Sequence, residues 1–392
     1  MTREEDAKEK EDYSLEVIRD LEAMRAHRTE WNEMASKQAD SFPFLGFDWF
    51  STWIENFLQD EELWVVLLYE KGILVCIAPF LKRRQKMFKL SIQKFELIGN
   101  VYSPFRNFLF RENDFERRKA HVGAVLGWMA ECGGSWDVMD LAAVPEERDC
   151  FAVIPEAVKE RRLQFVGHVA YGDWYVDDID CSGDEFIQGL PKKIRRDVSY
   201  CLRRLQKEFA VEFKVVKDSH LVHEYMSVYY DVYAKSWQKT ETVGPHFHRD
   251  FAEVAARQGW LRLGFLFAGD KSIAAQFWIS SNGTSYILKT VYDLAYRKYS
   301  PGKVLTAEMV KYAIDVDRVS LIDYVQGDEP YKKDWTPKRR ERKGITIFGR
   351  SLKGRTLDVL IRKVRPAVNE NAFLRRTKES AKRLVGSAEW EA

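Results

Sequence analysis

Cysteine is scarce in this chain: five residues in 392, and no two of them in a CxxC pair. An odd, scattered set (Cys76, Cys132, Cys150, Cys181, Cys201) reads as reduced, mostly buried thiols of a cytosolic protein. No run of 18 apolar residues occurs, and the first twelve residues are acidic and polar. A membrane-spanning helix and a secretory signal are therefore not expected, and residues 1–12 should be disordered. Net charge is only +2, which argues against a dedicated duplex-nucleic-acid partner. The chain has no Walker motif, no GxGxxG and no GxSxG, which counts against kinase, dehydrogenase and serine-hydrolase chemistry. Histidine is also sparse, with seven residues. His220/His223 and His246/His248 have HxxH and HxH spacing, but no Cys or Glu pattern accompanies them, so no metal is expected.

What is present is the material of a folded protein: 45% apolar, 14% aromatic and 31% charged residues. The length exceeds one ordinary core, so two domains are the prior. Apolar spacing predicts a helix from Tyr13 through Trp31 and an aromatic-rich helix over Phe47–Leu58. Strands Leu63–Tyr69 and Ile73–Leu81 form a hairpin, followed by a basic turn at Lys82–Lys86 and more strand to Ile98. A helix at Asp114–Cys132, a strand at Trp136–Leu141 and a helix around Pro155–Leu163 close the first half. The second half repeats that order. It holds a strand at Trp174–Ile179, a helix at Pro191–Phe209, a strand at Val211–Val216 and helices at Leu221–Trp237 and His246–Gln258. A hairpin follows over Leu261–Ala268 and Ile273–Ser281, and a last strand over Gly344–Gly349.

The most informative stretch is Thr284–Trp335. A β-branched strand, Thr284–Tyr292, leads to Ser300-Pro301-Gly302, which reads as a helix start with Ser as N-cap and Pro at the first helical position. A buried helix face follows, then a strand at Ser320–Val325 and a turn at Gly327–Pro330. This βαβ order sets a helix N-terminus, with free N–H groups and a positive dipole end, where an anion could sit. Asp293 and Asp323 are carboxylates in apolar strands, so each needs a partner or a task; Lys289 and Lys332 are the natural partners. Gln276, in an otherwise apolar strand, is either a satisfied core amide or a substrate-orienting group. Lys192, Lys193, Arg195, Arg196, Arg203 and Arg204 line the polar side of the Pro191–Phe209 helix, and Lys338–Lys343 forms a second basic loop.

The shared pieces Ala275-Gln276, Lys289…Tyr292-Asp293, Ser300-Pro301-Gly302 and Asp323…Gly327-Asp328…Tyr331-Lys332…Trp335 resemble the acyltransferase domain of the CelD/BcsL family. That family lies in the GNAT superfamily and is related to Fem aminoacyltransferases. PKKIRRDVSYCLRRL and FPFLGFDWFSTW resemble it too. The resemblance covers roughly 13–350. It implies a mixed α/β fold of two tandem GNAT-like domains, each a mixed, mainly antiparallel twisted sheet flanked by helices. The expected segments are a disordered 1–12, a degenerate domain over 13–170, an acyltransferase domain over 171–349 and a basic helical tail over 350–392. The resemblance implies an acetyl-CoA or longer acyl-CoA co-substrate lying between splayed strands. Thr290, Val291, Arg297, Lys298, Ser300, Gly302 and Lys303 would hold it, without a metal. The turn departs from the superfamily's usual glycine-rich form, since only Gly302 is present and Pro301 lacks an N–H.

On that resemblance, Asp323 and Asp293 are candidate bases for an amine, and Tyr331 is the candidate acid for the leaving thiolate. Gln276, Lys289, Tyr292, Asp328, Lys332, Trp335 and Arg195 are candidate acceptor contacts. The leading function is N-acyl transfer from acyl-CoA to an amine, such as an amino sugar in cell-envelope polysaccharide synthesis. The alternatives are a Fem-like transferase using aminoacyl-tRNA, against which stands the lack of a long heptad-patterned arm, and a non-catalytic scaffold. The tail reads as two amphipathic helices with basic outer faces. They either pack on the second domain or dock on an anionic membrane surface or an acidic partner. The expected location is the cytoplasm, with the inner face of the membrane as a further option.

Overall fold

The computed structural model describes residues 13–37, 43–131, 136–237, 244 and 246–364. The expected disorder of 1–12, the tail helix around Phe373–Val385 and the thiol of Cys132 lie outside the described residues. Cys76, Cys150 and Cys201 are buried free thiols, and Cys181 is partly exposed.

In chain order the elements are β1 (Tyr13–Ile18), α1 (Leu21–Ala26), α2 (Arg28–Lys37), α3 (Phe47–Phe57), β2 (Glu62–Glu70), β3 (Ile73–Met87), β4 (Leu90–Leu97) and β5 (Leu109–Phe110). Then come α4 (Phe115–Glu131), β6 (Val138–Val144), α5 (Val153–Glu160), β7 (Gln164–Val176), α6 (Gly183–Gly189), α7 (Lys192–Glu208), β8 (Val211–Val216), α8 (Ser219–Ala234) and α9 (Phe247–Arg257). The last elements are β9 (Leu261–Ala268), β10 (Lys271–Ser281), β11 (Thr284–Tyr292), α10 (Pro301–Asp315), β12 (Leu321–Gln326), β13 (Arg339–Phe348) and α11 (Leu352–Val364). They form two compact units, one running to Ala170 and resuming at Arg342, the other spanning Tyr171–Glu341.

Each unit holds six sheet strands in the same order and sense. In the first the order is β1-β2-β3-β4-β6-β13, and in the second β8-β9-β10-β11-β12-β7. All neighbours are antiparallel except one central pair in each, β4 with β6 and β11 with β12. The first core gathers β2, β3, β6, α4 and α5 around Phe80, Phe95, Leu126 and Met139. The second gathers α7 and α10 onto the sheet around Trp278, Leu305, Val310 and Tyr324.

Four local expectations change. Tyr13–Ile18 is a strand and not the start of a helix. The alternation of Tyr13, Leu15 and Val17 lets it pair with β2 and pack on the core, and Asp20 then caps α1 by accepting from Ala23 N at 2.8 Å. Lys82–Lys86 is no turn: it continues β3 against β4, and the chain reverses at Phe88-Lys89, with φ of 46° and 67°. Left-handed backbone at both positions matches the twist of a two-residue hairpin. Lys338–Lys343 likewise becomes largely strand, as β13. Residues 342–348 belong to the first unit, where they pair with β6 from Lys343↔Val144 to Phe348↔Val138. Finally, α11 packs on the first unit and not the second: Leu357 is fully buried with Ile92, Val138 and Phe348.

Candidate active site in the second unit

β11 and β12 pair at only three positions, Thr284↔Leu321, Ser285↔Ile322 and Tyr286↔Asp323. Beyond them β11 continues along β10, with Thr290 opposite Gln276 and Tyr292 opposite Ala274. β12 instead bulges. Tyr324 and Val325 stand where β7 offers only Trp174, and Val325 has φ 48°. A bulge bends its strand and ends regular pairing. The facing edges of β11 after Tyr286 and β12 after Asp323 are thus left unpaired to each other, as an extended amide-bearing ligand would require.

The turn after β11 differs from its reading as a side-chain-capped helix start. Asp293 caps a 3₁₀ turn over Leu294–Tyr299, accepting from Ala295 N at 2.9 Å. Ser300 is left-handed (φ 46°), and its side chain makes no cap bond; Pro301 does take the first helical position. The Ser300 carbonyl accepts from both Lys303 N (3.0 Å) and Val304 N (3.2 Å). One N–H of the helix start, that of Lys303, is therefore already used. Of the cations, Lys303 holds Asp197 at 3.0 Å and Lys298 lies 3.8 Å from Glu208. Arg297 is exposed and has no carboxylate partner among the described residues. Gly302 fits under β11: a Cβ there would stand 3.2 Å from the Tyr292 ring and 3.6 Å from Thr290. The Val291 side chain is fully buried, so only its backbone can serve a ligand.

The two candidate bases are both committed elsewhere. Asp323 is fully buried; its Oδ1 accepts from Val325 N at 2.7 Å and its Oδ2 takes the Arg340 guanidinium. Arg340 also donates to buried Asp173 at 2.8 Å and stacks 4.3 Å over Tyr175. The guanidinium and the Val325 N–H thus occupy one oxygen each of the Asp323 carboxylate. The described contacts of the two expected lysines are with other groups. Lys332 is buried, with its ammonium on the carbonyls of Val325, Gln326 and Gly327 and on Glu329 at 2.9 Å. Lys289 sits 5.6 Å over the Tyr233 ring.

Other candidates resolve into anchors. Gln276 is a satisfied core amide: it donates to Thr306 Oγ1 at 2.6 Å and accepts from Trp278 Nε1 at 2.9 Å, tying β10 to α10. Asp328 accepts two bonds from Arg339 (2.7 and 2.9 Å) and one from Trp174 Nε1 (2.9 Å). The Arg339 bonds, helped by Trp174, hold its carboxyl below the usual range although burial opposes them. Trp335 is buried in the core. Arg195, in the first turn of α7, is partly buried and reaches Gln188 at 3.4 Å. Tyr331 is 46% exposed overall, yet burial of its hydroxyl, assisted by Glu329, raises its pKa. Sequence reasoning missed Tyr324, the first β12 residue past the last pair. It is 2% exposed, its hydroxyl has no hydrogen-bond partner among the described residues, and burial with nearby Tyr331 raises its pKa strongly. Sequence reasoning also missed Arg340 and Asp173. The strand-like alternation of RRERKGITIF was the available signal for Arg340. Among the described residues no three His, Cys, Asp or Glu side chains cluster as a metal site.

The first unit has the same splayed pair in another state. β4 and β6 pair at Lys94↔Val138, Phe95↔Met139 and Glu96↔Asp140. Asp140 thus holds the place that Asp323 holds in the second unit, and a bulge with left-handed Ala143 (φ 63°) follows it. No helix starts at that splay. The chain runs on as a loop whose Arg106 N donates to the Ala143 carbonyl at 3.1 Å, with Ser103, Phe105 and Asn107 buried.

The family described as Acetyltransferase (GNAT) domain matches residues 192–333. No curated protein matches the chain. Among solved structures, FemX superposes with a TM-score of 0.58 at 12% identity, over 85% of this chain and 98% of its own. The C-terminal domain of a putative lysylphosphatidylglycerol synthetase from Agrobacterium fabrum superposes with a TM-score of 0.52 at 10% identity, over 87% and 97%. At such identities the likeness concerns the fold alone. The matched segment contains the splayed pair, the turn and α10. Residues 192–333, inside the second unit, are thus similar to a GNAT acetyltransferase domain, and the likeness to FemX extends the shared fold across most of the chain.

Proposed function

We propose that the second unit transfers an acyl group from acyl-CoA to an amine, with an amino sugar of a cell-envelope polysaccharide as the acceptor class. The polysaccharide part rests on the resemblance to the CelD/BcsL family. The observation that carries the donor reading is the gap between β11 and β12, which opens directly onto the turn before α10. A thioester arm would pair with the free edges there, and its phosphates would meet Arg297 and the N-terminal end of α10.

The amine nitrogen attacks the thioester carbonyl carbon, the C–S bond breaks, the thiolate takes the Tyr331 proton, and the proton shed by the nitrogen returns to the phenolate. Tyr331 is the candidate donor to the thiolate through its place on the turn after β12, while burial of its hydroxyl, which raises its pKa, works against the transfer. Asp323 and Asp293 are both engaged, so neither is assigned as base, and the amine enters as its free base. Titration calorimetry with acetyl-CoA and a longer acyl-CoA tests the reading: binding of one of them is expected, and binding of neither ends it.

One observation favours a second reading, transfer from aminoacyl-tRNA. The turn leaves few donors free for phosphate, since Lys303 N, Lys298 and Lys303 Nζ already have partners. Transfer of a labelled aminoacyl group without any acyl-CoA binding would select that reading.

A further inference from the structure

α7 buries Ile194, Val198, Cys201 and Leu205, one residue in every three or four, so its opposite side faces solvent. That side exposes Lys192, Lys193, Arg196, Arg203 and Lys207, and none of them has a carboxylate partner among the described residues. The two acids of the helix are used elsewhere: Asp197 binds Lys303, and Glu208 binds the Tyr299 hydroxyl. The stripe is about 22 Å long at ~1.5 Å of rise per residue. Near its middle stands Tyr200, 58% exposed.

An apolar shoulder adjoins this stripe. Arg204 Nη1 donates to the Lys298 carbonyl at 3.3 Å, joining α7 to the turn Leu294–Tyr299. Leu294 on that turn is 45% exposed, and its N–H donates to the Lys235 carbonyl at 3.1 Å. Trp237, 41% exposed, lies against Tyr292 at 4.5 Å between ring centroids. Exposed Lys235 adds one more cation without a carboxylate partner among the described residues. Tyr200, Trp237 and Leu294 are three of the five exposed large apolar side chains described in this unit, the others being Val316 and Tyr331.

We propose that α7 and the adjoining turn dock the second unit onto an anionic lipid bilayer. Unpaired cations attract the negative surface, while Tyr and Trp suit the headgroup layer and Leu294 the acyl boundary. A nucleic-acid strand would match the cations and stack on Tyr200, but it has no use for an exposed aliphatic Leu294. The inference does not depend on which donor the site uses.

The test is flotation of the full chain with vesicles of phosphatidylcholine alone and of phosphatidylcholine with phosphatidylglycerol. Binding is expected only to the anionic vesicles and should weaken as salt rises. Arg196→Glu with Arg203→Glu and Lys207→Glu should lower partitioning at least about 100-fold, with thermal unfolding unchanged. Leu294→Ser with Trp237→Ser should also weaken it, without any change in charge. Arg355→Glu on α11 should leave it intact. Undiminished flotation of the triple variant overturns the proposal. So does a protein that ignores vesicles but binds single-stranded RNA through the same three residues.

Discussion

Arg340 holds two buried carboxylates, Asp173 and Asp323, which are 1% and 0% exposed. Removing one member of such a set strands the rest without compensation, a loss of about 3 kcal/mol. Asp323→Asn should therefore lower the stability of the second unit by about 3 kcal/mol in denaturant titration, and any activity loss should follow the unfolded fraction. A folded Asp323→Asn protein with a specifically reduced kcat would restore Asp323 as the base. Tyr331→Phe predicts the opposite pattern: unchanged unfolding, with kcat reduced about 100-fold if the phenol protonates the thiolate. Its kcat should recover with an acyl donor whose leaving thiol is more acidic, because such a thiolate needs no proton.

At the scale of elements, one device recurs: a short parallel pair that ends at an aspartate, followed by a bulge with a left-handed residue, Val325 in one unit and Ala143 in the other. The outcome differs through what comes next in the chain. After β11 a six-residue 3₁₀ turn leads straight into α10, fastened by Gln276 to Thr306. After β4 a loop returns to β5 and lays its own backbone on Ala143. Acyl donors should therefore protect amides of β11 and α10 from hydrogen exchange and leave those of β4 and β6 unchanged. The first unit also depends on elements from the far end of the chain. β13 completes its sheet, and α11 buries Leu357 on Ile92, Val138 and Phe348. Leu357→Ala should cost the first unit about 2–5 kcal/mol, visible as earlier melting of its own transition.

Across the whole molecule, acid should act on the first unit through one buried cluster. Burial alone would raise Glu96 and Asp140, but Lys94 overrides it, with Arg83 acting on Glu96 and His168 on Asp140, and both carboxyls lie below their usual values. Lys94 bonds the two at 2.8 and 2.9 Å. A carboxylate lowered on folding gives its full stabilisation above its unfolded pKa, about 4, and loses it as pH falls through the folded value. Unfolding of the first unit should therefore become easier below about pH 4. Lys94→Met should be about 3 kcal/mol less stable at pH 7 and should close on the parent in acid, where the carboxyls are neutral. Calorimetry across pH reads both effects.

The sequence alone determined the repeated order of strands and helices, because apolar period and turn residues act locally: β8, β9 and the start of α10 at Pro301 fall where spacing put them. It also determined the stretch that carries the gap between β11 and β12, through the apolar run Thr284–Tyr292 and the proline after Ser300. Tertiary structure decided the partners. That Asp323 meets Arg340, that Gln276 faces Thr306, and that 342–348 complete the first sheet are contacts between residues distant in the chain. Local periodicity carries no information on such pairings. They are chosen by which buried charge can reach its opposite and which exposed sheet edge can find a strand.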